Sequence, residues 1–304
     1  MEERKLFEKL INNDALFDNI HVFQQCFDII PDNKNHIGAF IEFQDIQDRS
    51  EEFLNELVDS VVDWVYSSEK YNDLVVEFQK NGKSTGSANS AVIRKAKDKF
   101  RKNSNSDKLL SQGQFGELLL FHFIQRFMHA VPLLRKMNIT TSPQHERYGA
   151  DAIHYKIENG KNIIILGEAK TYTSCYTFGK AFEKALNSIL DSYYNHRKEL
   201  SLYLHEDFLD DELNEIAEMY LTNKLPECEV HLVSIITYHE TEKLKYTNQG
   251  DIQSQIKNII ENRYKSFSNE KIEIDKYPIL NRITYIVFPI WKLDNLVERF
   301  QDCL

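Results

Sequence analysis

Three charged residues have the types and spacing for metal and phosphate chemistry: Asp151 in "YGADAIHY", and Glu168 and Lys170 in "NIIILGEAK". Four apolar residues, Ile163 to Leu166, announce a buried strand, and a glutamate and a lysine follow at once. Charged side chains at the end of a core strand must be paired or must bind something. Asp151 joins them through a turn. Asn159-Gly160 is the strongest short-range hairpin signal, because both turn positions need positive φ. With a two-residue turn there, residue 158 faces 161 and the same register sets Asp151 opposite Glu168. Opposed residues project to one side with Cβ atoms about 5 Å apart, and Lys170, two residues on, shares that side. Two carboxylates that close repel unless a positive charge lies between them. Lys170 supplies part of it. A hard divalent cation, held by one or two carboxylates, water and a phosphate, would supply more. The competing reading is a structural ion pair at a sheet edge, and a one-residue slip would undo the register altogether.

A fourth acid, Glu117 in "GQFGELLLFHFI", lies in a segment that is otherwise almost wholly apolar. It reads either as a first-turn carboxylate favoured by the helix dipole or as a third acidic ligand, direct or through water.

These residues need elements to carry them. Residues 108–128 read as a buried helix, 150–157 and 161–170 as two strands, and 176–194 as a helix with Phe178, Phe182, Ala185, Leu186, Ile189 and Tyr193 on one face. A helix (210–221), a strand (229–238), a helix (251–264), a strand (282–291) and a last helix (292–301) follow. Strands alternating with helices point to an α/β fold with a mixed central sheet flanked by helices. Upstream, 36–44 reads as a strand and 47–68 as one helix, capped by Ser50 or Asp48, with Phe53, Leu57, Val58, Val61, Val62 and Val65 inward. The Gly/Ser/Asn-rich run "QKNGKSTGSANS" reads as a linker or mobile loop. An N-terminal α/β region, 1–85, is therefore expected to precede the main domain, 86–304.

At 304 residues, 42% hydrophobic and 28% charged, the composition is that of an ordinary globular protein. No apolar run reaches the roughly 18 residues of a membrane span, and the charged start "MEERKLFEKL" has no signal-peptide core; a cytoplasmic protein is expected. The four cysteines form no CxxC pair, which argues against structural zinc or a disulfide framework. No HExxH, GxxxxGK[ST] or GxGxxG occurs, so neither a zinc hydrolase nor nucleotide binding by this chain is expected. The net charge is −10, yet Lys80 to Lys108 carries nine Lys or Arg against two Asp. That segment, with Arg94, Lys95, Lys97, Lys99 and Arg101, is the candidate nucleic-acid patch or partner dock; the plainer reading is a solvated surface helix and loop. Lys180 and Lys184, one turn apart, are further candidates for the DNA backbone, although solvated lysines are the simpler account.

Glu117 on a helix, Asp151, and Glu168 with Lys170 on a hairpin resemble the PD-(D/E)xK nuclease superfamily. More narrowly, "GQFGE", "RYGAD" and "LGEAK" resemble HamA, the nuclease family of Hachiman antiphage defence, over roughly residues 110–190. The resemblance implies a restriction-endonuclease-like core with an N-terminal extension, and a DNA nuclease restrained by a helicase partner of the same system (HamB). It also implies Mg²⁺ or Mn²⁺ on Asp151, Glu168, the Ala169 carbonyl and Glu117, with Lys170 catalytic. The helix after Lys170 lacks the Gln-x-x-x-Tyr of the RecB-like branch. Sequence-specific restriction cleavage and a non-catalytic assembly role are the alternatives.

Overall fold

The structure, a computed structural model, describes residues 9–10, 13–102, 113–134, 149–172, 178–203, 211–267 and 269–304, without the side chains of 100–102, 203, 211 and 212. Its centre is a seven-stranded mixed sheet. The strands are β1 (Ile20–Cys26), β2 (Asn35–Ile41), β5 (Val131–Leu134), β6 (Ala152–Glu158), β7 (Lys161–Tyr172), β8 (Cys228–His239) and β9 (Ile283–Ile290), in the order β1-β2-β9-β8-β7-β6-β5. A two-stranded ribbon, β3 (Phe43–Gln44) and β4 (Gln47–Asp48), stands apart from it. The middle pairs β2/β9, β9/β8 and β8/β7 are parallel, whereas both sides close with antiparallel partners. Parallel strands are covered on both faces, so their sequences are nearly continuous apolar runs rather than alternating ones; Ile163 to Ala169 of β7 are all buried.

Helices cover both faces. On one lie α1 (Asp14–Phe17), α2 (Ser50–Asp59), α3 (Val61–Val65), α4 (Ser68–Lys80), α5 (Thr85–Lys102), α6 (Gln114–Met128) and α10 (Leu293–Cys303), packed around Ile163, Ile165 and Ala169 of β7 and their neighbours. On the other lie α7 (Phe178–Tyr203), α8 (Asp211–Leu221) and α9 (Gln249–Lys265), packed around Ile164 and Leu166. The result is the mixed sheet flanked by helices expected of a restriction-endonuclease-like core. Among the described residues, no helix is long and apolar enough to cross a membrane.

The β6–β7 hairpin forms in the expected register. Asn159 and Gly160 take φ values of 52° and 77°, and pairing runs from Glu158↔Lys161 to Ala152↔Gly167 without a bulge. One step beyond the ladder the register shifts: the Asp151 N–H donates to the Gly167 carbonyl at 2.9 Å, where the turn alone would have set Asp151 opposite Glu168.

The N-terminal half departs further from expectation. Residues 47–68 do not form one helix: Ser60 ends α2 and its hydroxyl donates to the Leu57 carbonyl at 2.8 Å, after which α3 starts afresh. Arg49 occupies the cap position without a side-chain capping bond, and the Asp48 carboxylate, one residue earlier, accepts from the Ser50 N–H at 3.1 Å. The Gly/Ser/Asn-rich stretch is not a loop either. Only 81–84 connect α4 to α5, and Thr85–Ser90 are the first turns of α5. Intrinsic propensity is overridden there because Ala88, Val92 and Ala96, four residues apart, are fully buried against the neighbouring helices. The boundary drawn after residue 85 thus falls inside a helix, and β1 and β2 belong to the same sheet as β9. Neither β1 nor β5 was expected from the sequence.

Candidate active site

Three glycines set the backbones that carry the acids. A Cβ at Gly167 would come within 3.0 Å of Leu120, Ile124 and Ala152, so the glycine before Glu168 lets α6 approach the sheet. Gly116 does the same from the helix side: a Cβ there would overlap the Thr171 hydroxyl and crowd Ala169. Glu117 is thereby fixed beside the end of β7. Gly149, with φ of +140°, leaves no room for a Cβ because the carboxylate of Glu199 occupies that space.

Asp151 and Glu168 lie across the hairpin from each other, on the face covered by α7. The Asp151 carboxylate (Oδ2) accepts from the Ala169 N–H at 2.9 Å. Glu168, 3% exposed, accepts from Lys170 Nζ at 2.6 Å and from the Ser188 hydroxyl through Oε1, and from the Ser192 hydroxyl at 3.1 Å through Oε2. Lys170 itself is only partly buried, so one side of the pair reaches solvent. Burial pushes the Glu168 carboxyl above its ordinary range and the negative Asp151 adds to the rise, against the pull of Lys170 and Ser188. Burial opposes the Lys170 charge, but Glu168 and Asp151 outweigh it, and the ammonium holds its proton more tightly than usual. Two carboxylates, Asp151 and Glu168, thus meet beside Lys170, and their repulsion raises Glu168.

Glu117 is buried in the first turn of α6. This helix packs on the opposite face of β7, and the Glu117 carboxylate curls back towards Gly113, its Oε1 4.0 Å from where a Cβ on that residue would be. The dipole reading of Glu117 fits this geometry. Its position beside Ala169 keeps it at the same end of β7 as Glu168 and Lys170.

The oxygens that could hold a divalent cation here are those of Asp151, Glu168 and the Ala169 carbonyl. Among the described residues no group of three or more His, Cys, Asp or Glu is arranged to hold a metal ion. Magnesium needs fewer, since it keeps most of its water and takes one or two carboxylates. A buried Glu168 beside a half-buried, repelling Asp151 fits that demand.

The basic residues are distributed elsewhere. Helix α5 lies on the face opposite α7. Lys95 and Lys83 each place Nζ 5.9 Å from the Phe78 ring centre, and Lys99 lies 5.1 Å from that of Tyr66. Burial, then Lys95 and Lys70, lowers the pKa of Lys99. Lys97 donates to the Cys303 carbonyl at 3.0 Å, and Arg94 is exposed. The side chain of Arg101, and Lys108, are outside the described residues, as is His145. Lys180 and Lys184 sit on the exposed side of α7. His154 faces α6, away from Asp151, with its ring 5.6 Å from that of Phe121.

Ser188, Ser192 and Glu199 were not anticipated. A signal for them exists in the sequence. Ser192 and Glu199 recur on the apolar side of the α7 pattern, where a polar residue needs a partner, but the identity of the partner is a tertiary fact.

Fold and site together define a mixed-sheet α/β protein of the restriction-endonuclease-like class, with paired acids and a lysine at the end of a central hairpin. The sequence matches the HamA family profile over residues 14–304. The chain belongs to the HamA family, which makes it an antiphage defence protein of the Hachiman type. No curated protein matches it.

Proposed function

We propose that the chain is the metal-dependent DNA nuclease of its defence system, acting in the cytoplasm with a helicase partner that restrains it until DNA is engaged. The observation that carries this reading is the closeness of half-buried Asp151 to buried Glu168, with Lys170 2.6 Å from Glu168. A stabilising ion pair has no use for a second carboxylate that raises the pKa of the first, whereas a cation site requires it.

The reaction is hydrolysis of a phosphodiester: a water oxygen adds to phosphorus and the ester P–O bond breaks. Mg²⁺ or Mn²⁺, when bound, supplies charge neutralisation at the phosphate and a more acidic water. Asp151 and Glu168 hold the cation, with the Ala169 carbonyl beside them and Glu117 as a direct or water-mediated contributor. Lys170 orients the attacking water or stabilises charge developing on the phosphate, a role suited to a compact ammonium. Ser188 and Ser192 fix the Glu168 carboxylate in one orientation. Arg94, Lys95, Lys97, Lys99 and Arg101, with Lys180 and Lys184, are the candidate contacts to the DNA backbone.

One observation favours a second reading. Glu168 already receives Lys170 and both serines, a set that would suffice for a structural salt bridge in a non-catalytic assembly subunit. Plasmid cleavage separates the two. The purified chain, with Mg²⁺ and with or without the helicase encoded beside it, should cut DNA, and Glu168→Ala, Lys170→Ala and chelator should each abolish cutting. If neither single- nor double-stranded DNA is cut in either condition, the nuclease reading is wrong. Discrete fragments in place of smears would instead indicate sequence-specific restriction.

A further inference from the structure

Asp151 lies one residue before β6, so the ladder does not hold the backbone leading into it. Its own N–H is taken by the Gly167 carbonyl, but residues 149 and 150 precede the pairing altogether. What meets them is Glu199 of α7, a carboxylate 6% exposed. Its Oε2 accepts from the Ala150 N–H at 2.9 Å, and its carboxyl group fills the space in which a Cβ on Gly149 would lie. These are two independent constraints, one polar and one steric, on the two residues before Asp151.

The same helix holds the other acid. Ser188 and Ser192 are one turn apart, and Glu199 follows Ser192 by seven residues, which is two turns and the same side of the helix, about 10 Å along the axis. One rigid element thus reaches Glu168 at one level and the Gly149–Ala150 backbone at another.

We propose that Glu199 is a positioning residue that sets the placement of the Asp151 carboxylate relative to Glu168, so that α7 fixes the separation of the two acids. The inference rests on the reading of those acids as a divalent-cation site. Both contacts hold the backbone that leads into Asp151, and they come from the helix that also holds Glu168; fixing a metal ligand in place gives such contacts a use. Gly149 then has a defined role as well. It is the residue at which the chain can pass against the Glu199 carboxylate before turning into the strand.

The test is Mn²⁺ binding to the full-length chain, followed by electron paramagnetic resonance, with exchange of the Ala150 amide proton and the melting temperature measured in parallel. Glu199→Ala is expected to weaken Mn²⁺ about 10- to 100-fold, the usual effect of removing a residue that orients a ligand, and to speed Ala150 exchange. Glu199→Gln keeps an acceptor oxygen and should recover most of the affinity. Gly149→Ala leaves Glu199 in the chain yet displaces it, so it should weaken Mn²⁺ as well; it also serves if Glu199→Ala does not fold. Unchanged Mn²⁺ affinity in Glu199→Ala and Gly149→Ala, beside a wild-type chain that binds and an Asp151→Ala that does not, overturns the positioning role alone. A lower melting temperature with unchanged affinity does the same. A wild-type chain that binds no Mn²⁺ overturns both this inference and the cation-site reading beneath it.

Discussion

Two buried glutamates on neighbouring strands make opposite use of burial. Glu168 is 3% exposed near the end of β7, and Glu240 is 1% exposed just past the end of β8. Because Glu168 pairs with Ser234, Glu240 lies six residues further along the sheet, about 20 Å. Glu240 is surrounded by donors alone: Arg263 grips it through Nε and Nη2, the Thr241 and Glu242 N–H groups donate at 2.8 and 2.9 Å, and the Tyr238 hydroxyl donates at 3.0 Å. Burial pushes its carboxyl up, but Arg263 and the backbone donors outweigh burial and hold it below the ordinary range. Glu168 also has three donors, yet its pKa is raised, because Asp151 adds a like charge to the cost of burial. A buried acid is therefore no mark of a site by itself; a second carboxylate close enough to raise it is.

The comparison can be broken most decisively by truncating each centre. Lys170→Ala should lower Mg²⁺-dependent cleavage per folded molecule by about 10²- to 10³-fold, the scale of losing one preorganised electrostatic contact, beyond any stability lost by leaving Glu168 without its cation. Glu240→Ala should do the reverse. Stranding Arg263 should cost about 3 kcal/mol of stability, read by urea unfolding, while cleavage per folded molecule stays unchanged. Loss of cleavage in the second variant, or of stability alone in the first, would erase the distinction.

A pH series sharpens it. The ordinary carboxylate value is 4.5. Since the folded value of Glu168 is raised, the folded state retains a proton that the unfolded chain has lost. This glutamate therefore costs stability progressively as pH rises above about 4.5. The folded value of Glu240 is lowered, so its stabilisation is present above that pH and fades as pH falls below it. Melting curves from pH 3 to 8 should show Glu168→Gln gaining on wild type towards high pH and Glu240→Gln losing less at low pH. Metal binding must expel the proton held by Glu168, so Mg²⁺ affinity from calorimetry should rise with pH and release protons.

The smallest effect belongs to α5. If Lys95 meets DNA phosphate, Lys95→Ala should reduce the slope of log affinity against log salt by about 1. Lys97→Ala should change it less, because Lys97 is already engaged with the C-terminal Cys303 carbonyl.

The sequence carried the hairpin from its turn at Asn159-Gly160 to Ala152↔Gly167; at Asp151 the backbone bond to Gly167 departs by one residue from that register, yet the acid still lies close enough to Glu168 to raise it. It carried the central strands and their helices too, since long apolar runs and 3.6-residue patterns are local signals. Short β5, the edge strand β1 and the helical start of α5 were not legible. Each is held by neighbours distant in the chain, and their own residues favour other conformations or none.

What the sequence determined alone is thus the hairpin whose far end carries two acids and a lysine, because a two-residue turn transmits register from Glu158↔Lys161 to Ala152↔Gly167 without help from the rest of the chain. Only tertiary structure decided that α7 brings Ser188 and Ser192 to Glu168 and Glu199 to the backbone before Asp151. Only packing of the two faces placed Glu117 on one side of β7 and the serines on the other. Those contacts join residues 20 to 49 positions apart, and they arise from how one helix lies on one sheet, which no local pattern encodes.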